Sequence, residues 1–306
     1  MNNTSMTAKS GMLYAVSAYA TWGFVPLFWR ELRMFPPTQI LAHRIVWSLI
    51  FFICIFLTRR TFTNWLRMLS DKKILLKSLP SGLAIGINWG LYIYAVNSGH
   101  ALESSLGYFI NPIFNVLIGS LLFKEKLNKF QWSAFSLACV GVGLLTVLSG
   151  RPPWIALALA GTFSLYGVIR KKTALKGTTG TAVESLLLIP AAILLFSIPS
   201  LTPTNLLELE DPLIPSVLLM LGGALTALPL VWFAEATQRL PLSTLGFFQY
   251  ISPTFQFLIA VFIFQEPFDS GKLMAFSFIW MGLGLFIFDT ARSSFQGRSD
   301  PSKVST

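Results

Sequence analysis

Apolar residues along this chain fall in repeated blocks of about twenty, separated by short polar connections. A helix needs about twenty predominantly apolar residues to cross the hydrocarbon of a bilayer, so the blocks read as membrane spans. The pattern predicts spans near 11–30, 37–58, 79–98, 102–123, 131–149, 153–170, 179–199, 213–235, 241–264 and 272–290. The expected fold class is therefore an all-α membrane protein of ten transmembrane helices.

Charge then orients the spans. Eighteen of the 23 lysines and arginines fall in alternate connections, including Arg59, Arg60, Arg67, Lys72, Lys73 and Lys77 between the second and third blocks. Only Arg30, Arg33, Arg151 and Lys272 fall on the other side, and Arg44 lies within a block. Basic residues stay on the cytoplasmic side, so both short tails, 1–10 and 291–306, are expected in the cytoplasm. The first block ends in Phe28-Trp29-Arg30 without a small-residue cleavage site, which predicts a retained helix and not a signal peptide.

Composition agrees with the pattern. Of 306 residues, 54% are hydrophobic and 12% charged, and the mean hydropathy is +0.64. About a quarter of an ordinary soluble domain is charged. The net charge of +10 follows from the topology signal and is not read as a nucleic-acid footprint. Cys54 and Cys139, both inside apolar blocks, are expected to be small packing residues.

An internal repeat divides the chain. From residue 112 to 143 a constant offset of 141 gives eleven identities in 32 positions, among them Pro112/Pro253, Phe114/Phe255, Glu125/Glu266, Gly141/Gly282 and Gly143/Gly284. Upstream, Leu106-Gly-Tyr-Phe109 matches Leu245-Gly-Phe-Phe248 at an offset of 139. The two units are 11–149 and 153–290. Each holds an odd number of spans, so the second must enter the membrane from the opposite side. Inverted repeats of this kind characterise secondary transporters, with the substrate held near the midplane between the halves. The change of offset adds two residues around Gln249-Tyr250. Two residues turn a helix by about 200°, which predicts a broken turn near Gln249–Pro253, echoed near Asn111-Pro112.

Leu106-Gly-Tyr-Phe-Ile-Asn-Pro112, Phe123-Lys-Glu-Lys126, Asn88-Trp89 and Leu245-Gly-Phe-Phe-Gln-Tyr-Ile-Ser-Pro253 resemble the RarD branch of the EamA family, in the drug/metabolite transporter superfamily. The resemblance runs from Trp22-Gly23 to Phe278-Ile-Trp280. It implies two EamA-type repeats around a central cavity, a bacterial inner-membrane location and permease activity. The branch carries a historical label of chloramphenicol sensitivity. Members of the superfamily handle amino acids, nucleotide sugars, S-adenosylmethionine and other metabolites. The cargo expected here is a small solute: an amino acid, a nucleoside-like metabolite, S-adenosylmethionine or a drug.

Two ionisable residues stand well inside spans, Arg44 and Glu184. Intramembrane charges face the bundle interior, find partners or mark a pathway. At an offset of 140, Thr38/Thr178 and Ala42/Ala182 also match, which puts Arg44 and Glu184 at equivalent places. Arg44 is expected to anchor an anionic group and Glu184 to couple protons; a structural role for each, or a pair formed between them, is the competing reading. Asn88, Trp89, Tyr92, Tyr108 and Asn111 in the third and fourth spans, Gln249, Tyr250 and Ser252 in the ninth and Trp22 in the first supply amides and rings to line a substrate site. Aromatic belts and interhelical polar contacts use the same residue types. Glu125 and Glu266 recur at span ends and read as helix-end structure.

The Gly141-x-Gly143 and Gly282-x-Gly284 pairs do not continue to a third glycine and do not follow a strand. They are expected to let helices approach closely, a feature that also suits a homodimer face. The sequence carries no Walker-type loop and no clustered nucleophile, base or metal ligands, so it predicts neither an enzyme nor a cofactor, and its other partner is lipid. A non-transporting scaffold or a passive channel is the remaining alternative.

Overall fold

The computed structural model describes residues 3–123, 128–172, 177–237, 239–240 and 248–298. The described elements are helical. They are α1 (Asn3–Glu31), α2 (Pro37–Thr58), α3 (Phe62–Leu69), α4 (Lys72–Asn97), α5 (Ala101–Phe123), α6 (Lys129–Ser149) and α7 (Trp154–Lys172), then α8 (Gly177–Leu187), α9 (Ile189–Ser197), α10 (Leu213–Thr237), α11 (Ile251–Leu258) and α12 (Ser270–Arg298). A π-helical turn, Ile259–Ile263, continues α11. Six described stretches are long and apolar enough to cross a membrane: Pro37–Thr58, Lys72–Asn97, Lys129–Ser149, Thr178–Ser197, Leu213–Phe233 and Ser270–Asp289. Trp154–Gly167 and Ile251–Ile263 are shorter apolar helices.

Four departures from the expected spans have local causes. The second connection is not a simple loop: it contains α3, whose Trp65 is buried beside Phe52 and Phe56 while Leu66 and Arg67 are exposed. Its eight residues are too few to register as a span. α4 starts at Lys72, ahead of the expected boundary, because Asp71 caps it by accepting the Lys73 N–H at 2.9 Å. The seventh span is two helices. Pro190 lacks the N–H that would bond the Leu186 carbonyl, and the chain turns at Leu188 before α9. In the ninth, Phe248 is helical, Gln249 and Tyr250 form a turn and α11 begins at Ile251. Residues 241–247 lie outside the described residues. No echo occurs at Asn111-Pro112, where α5 continues unbroken from Ala101 to Phe123. Both cysteines are exposed, so they are not the small packing residues expected.

The helices pack in a closed circuit. α4 packs on α7, α7 on α5, α5 on α11, α11 on α1, α1 on α10, α10 on α2, and α2 on α8 and α9, with α8 returning to α4. α6 and α12 form a tight pair outside this circuit, both touching α5. Small residues make the close approaches. A Cβ on Gly223 of α10 would lie 2.3 Å from the Trp47 carbonyl carbon of α2. Gly141 and Gly282 each face the partner helix of the α6–α12 pair, where a Cβ would sit 2.7 Å from the carbonyl oxygens of Ala275 and Ala134 respectively. Gly143 and Gly284 face open space. One end of the circuit is filled by Trp29, Leu32, Phe35, Ile93, Val96 and Leu219, all buried.

Candidate substrate site

Asn88, Trp89 and Tyr92 sit on the inner part of α4, and Tyr108 and Asn111 are one turn apart on α5. Spacings of three and four residues put Asn88 with Tyr92, and Tyr108 with Asn111, on common helix faces. The fold brings Trp89 against Arg44, joins Tyr92 to Tyr108 and Tyr108 to Asn88, and turns Asn111 to Ser164 of α7. The guanidinium carbon of Arg44 lies 4.5 Å from the Trp89 ring centroid and 5.1 Å from that of Trp29. Tyr92 and Tyr108 meet edge to face at 5.7 Å, and Tyr108 meets Phe163 of α7 in the same way at 6.2 Å.

Amides tie this aromatic group to α7. Asn88 Nδ2 donates to the Leu159 carbonyl at 3.0 Å and to Thr162 Oγ1 at 2.9 Å, while its Oδ1 accepts a long bond of 3.4 Å from Tyr108 Oη. Ser164 Oγ donates to Asn111 Oδ1 at 2.8 Å. Several polar atoms of the group are left over. Trp29 Nε1, Arg44 Nε and Nη1, Tyr92 Oη and Asn111 Nδ2 are buried without a hydrogen-bond partner among the described residues. Such orphaned atoms are expensive in a protein interior.

Glu184 stands apart from Arg44. It is fully buried on α8, where Oε1 accepts from Ser81 Oγ at 2.6 Å and Oε2 from Tyr166 Oη at 3.2 Å. Arg44 and Glu184 therefore touch the same helix, α4, at Trp89 and at Ser81, eight residues and about 12 Å apart along its axis. Each takes its own partners.

The remaining candidates gather elsewhere on the circuit. Trp22 meets Tyr19 edge to face at 5.5 Å and Phe233 of α10 at a tilt at 6.0 Å. Gln256 of α11 donates through Nε2 to the Trp22 carbonyl at 3.0 Å and to Ser252 Oγ at 3.1 Å. Gln249 and Tyr250 are half-buried at the turn before α11, with Tyr250 against the apolar cluster of Leu106, Phe109 and Ile110. Trp29, Gln256, Ser81 and Tyr166 were missed in the sequence. Trp29 stands at the end of the first apolar block, and the other three lack any periodic or motif signal; only packing reveals them.

Glu266 is a helix cap. Its Oε1 accepts the Ala101 N–H at 2.7 Å and its Oε2 the Leu102 N–H at 2.8 Å, satisfying two orphan donors at the start of α5. Glu103, in the same first turn, accepts the Ile155 N–H of α7 at 2.9 Å. Glu125, the counterpart of Glu266, lies outside the described residues.

Apolar helices of spanning length, joined by short connections and enclosing buried rings, amides and one arginine, define a multi-pass membrane protein with the interior of a solute transporter. Comparison with known proteins supports this class and refines it. Residues 9–147 match the model of the EamA-like transporter family. The chain is 43% identical over 283 residues to protein RarD of Salmonella typhimurium, covering 92% of this chain and 95% of that protein. It is 42% identical over 289 residues to the uncharacterized transporter YojE of Bacillus subtilis, with 93% and 95% coverage. A more distant relative, the chloramphenicol-sensitive protein RarD of Pseudomonas aeruginosa, is 29% identical over 288 residues. A solved crystal structure with 19% identity superposes with a TM-score of 0.59 over 91% of this chain and 97% of that one, a likeness of fold. The chain belongs to the EamA-like transporter family, in its RarD branch.

Proposed function

We propose that the protein is a secondary-active permease of the bacterial inner membrane that carries a small organic solute by alternating access between two inverted five-helix units, 11–149 and 153–290. The observation that carries this reading is the way the helix contacts come in exchangeable pairs. α5 on α7 is matched by α11 on α1, α10 on α2 by α4 on α8, and α1 on α10 by α7 on α4, while α6 packs on α12. Each contact maps onto its partner when the fourth span is exchanged with the ninth, the first with the sixth, and so on. A pseudo-two-fold axis in the membrane plane would produce that pattern.

In this reading the substrate binds inside the circuit, against Trp89, Tyr92, Tyr108, Asn88 and Asn111 on one side and Trp22, Gln249, Tyr250 and Ser252 on the other. Arg44 holds it and Glu184 couples its movement to protons. The plug at Trp29, Leu32, Phe35 and Leu219 is the closed extracytoplasmic gate, and both tails lie in the cytoplasm. Burial of Glu184 against the Ser81 hydroxyl, on the same helix that presents Trp89 to Arg44, supports a link between proton and substrate through α4. The outward-facing Gly143 and Gly284 leave room for a homodimer contact.

Purified protein in proteoliposomes tests the reading. Saturable uptake or counterflow of a metabolite, accelerated by an imposed pH gradient, is expected; a flux that rises without saturation would mark a passive channel. Reporter fusions should place both tails in the cytoplasm. An extracytoplasmic report from either would remove the inverted topology.

A further inference from the structure

The unsatisfied atoms of Arg44 and of the rings and amides described above share one chemical character. Arg44 Nε, Arg44 Nη1, Trp29 Nε1 and Asn111 Nδ2 are donors only, and Tyr92 Oη can donate. The orphaned acceptors among the described residues, Asn97 Oδ1 and Gln256 Oε1, belong to the end of α4 and to α11. Arg44 is also a buried cation inside an apolar helix, with no ion-pair partner among the described residues. The rings of Trp29 and Trp89 stabilise it through their faces, but ring faces accept none of its N–H bonds in the guanidinium plane. A charge in a membrane interior needs more compensation than that.

We infer that this buried set of donors is the receptor for an organic oxyanion, a carboxylate with a flat apolar body, and that this is the substrate class of the permease. The inference rests on the carrier reading above and adds to it the sign of the cargo. A carboxylate is planar and acceptor-only, so it meets the guanidinium fork in its own plane while both tryptophan rings stay in place. Its oxygens have capacity left for the Tyr92 hydroxyl and the Trp29 N–H. Tyr108 and Phe163, edge to face at 6.2 Å, and Tyr92 supply apolar ring surface for the body. Asn111, one turn further along α5, has its Oδ1 already bonded to Ser164 and its Nδ2 free, so it too presents a donor. A cationic or amine-bearing solute would find donors opposed to donors here, and like-charge repulsion from Arg44.

Matched pairs test the sign. The full-length protein in detergent is heated with aromatic and aliphatic monocarboxylates, each beside its carboxamide and its amine; benzoate, benzamide and benzylamine form one such set. Carboxylates are expected to raise the melting temperature and the amides and amines to leave it unchanged. Arg44→Lys should weaken the response at least about tenfold, because Lys keeps the charge and loses the fork. Tyr92→Phe should weaken it about fivefold, one net hydrogen bond, with the ring retained. Gel filtration and the unliganded melting temperature show that both variants fold. Equal protection by amides or amines, or a response unchanged in both variants, overturns the inference, as does a panel in which no carboxylate binds. Counterflow of a neutral or cationic solute in proteoliposomes would then leave the carrier standing with a different cargo. Absence of saturable flux for every solute would remove the carrier reading itself.

Discussion

Glu266 reaches from the turn after the π-helical segment to the first residue of α5, where its carboxylate accepts the Ala101 N–H at 2.7 Å and the neighbouring Leu102 N–H at 2.8 Å. A carboxylate at a helix N-terminus bonds free amides and meets the positive end of the helix dipole. Glu266→Ala removes both bonds and should cost about 1–2 kcal/mol. Glu266→Gln, which retains one acceptor, should cost less. Thermal unfolding in detergent reads the order; equal melting temperatures for all three proteins would show that the cap contributes nothing.

Gly223 and Gly143 make a contrasting pair. A methyl group at Gly223 would meet the backbone of Trp47 at 2.3 Å, whereas one at Gly143 meets nothing within 4 Å. Gly223→Ala should therefore separate α2 from α10 and sharply reduce the yield of monodisperse protein, while Gly143→Ala leaves it unchanged. Fluorescence-detected gel filtration compares them, and a normal profile for Gly223→Ala would contradict the packing described.

Asn88 bonds two acceptors on α7, Leu159 O and Thr162 Oγ1. Interhelical hydrogen bonds in membranes are worth about 0.6 kcal/mol on average and up to about 1.7. Asn88→Leu should lower the melting temperature by a few degrees and loosen the α4–α7 contact; an unchanged or raised value would show that the amide is not structural.

Glu184 accepts from Ser81 and Tyr166 through separate oxygens. Glu184→Gln keeps the shape and one of the two acceptors, so the folded protein should persist in the membrane. Under the proposed mechanism its saturable uptake no longer responds to a pH gradient. Wild-type gradient dependence in this variant would assign Glu184 a structural role alone.

Much of the architecture was legible in the chain because the lipid leaves few options. Backbone groups in hydrocarbon must be bonded internally, so long apolar blocks are helices, and most predicted boundaries fall within a few residues of the observed ones. The turn at Gln249-Tyr250 was legible as well, from two residues out of register with the repeat. Pro190 is only a weak signal of the kink at Leu188, since one proline in an apolar block does not always break it. α3 has no span-length signature and shows itself only through Trp65 packing on Phe52 and Phe56.

The identity of the candidate residues came from the sequence: a charged or amide side chain inside an apolar block is conspicuous wherever the helix goes. What each one touches did not. Hydropathy gives the depth of Arg44 and Glu184 along their own helices, and helix rotation and crossing decide their neighbours. Only the tertiary structure placed Arg44 over Trp29 and Trp89, gave Glu184 to Ser81 and Tyr166, and left a set of donors without acceptors, because those relations join residues far apart in sequence through side-chain packing that no linear pattern encodes.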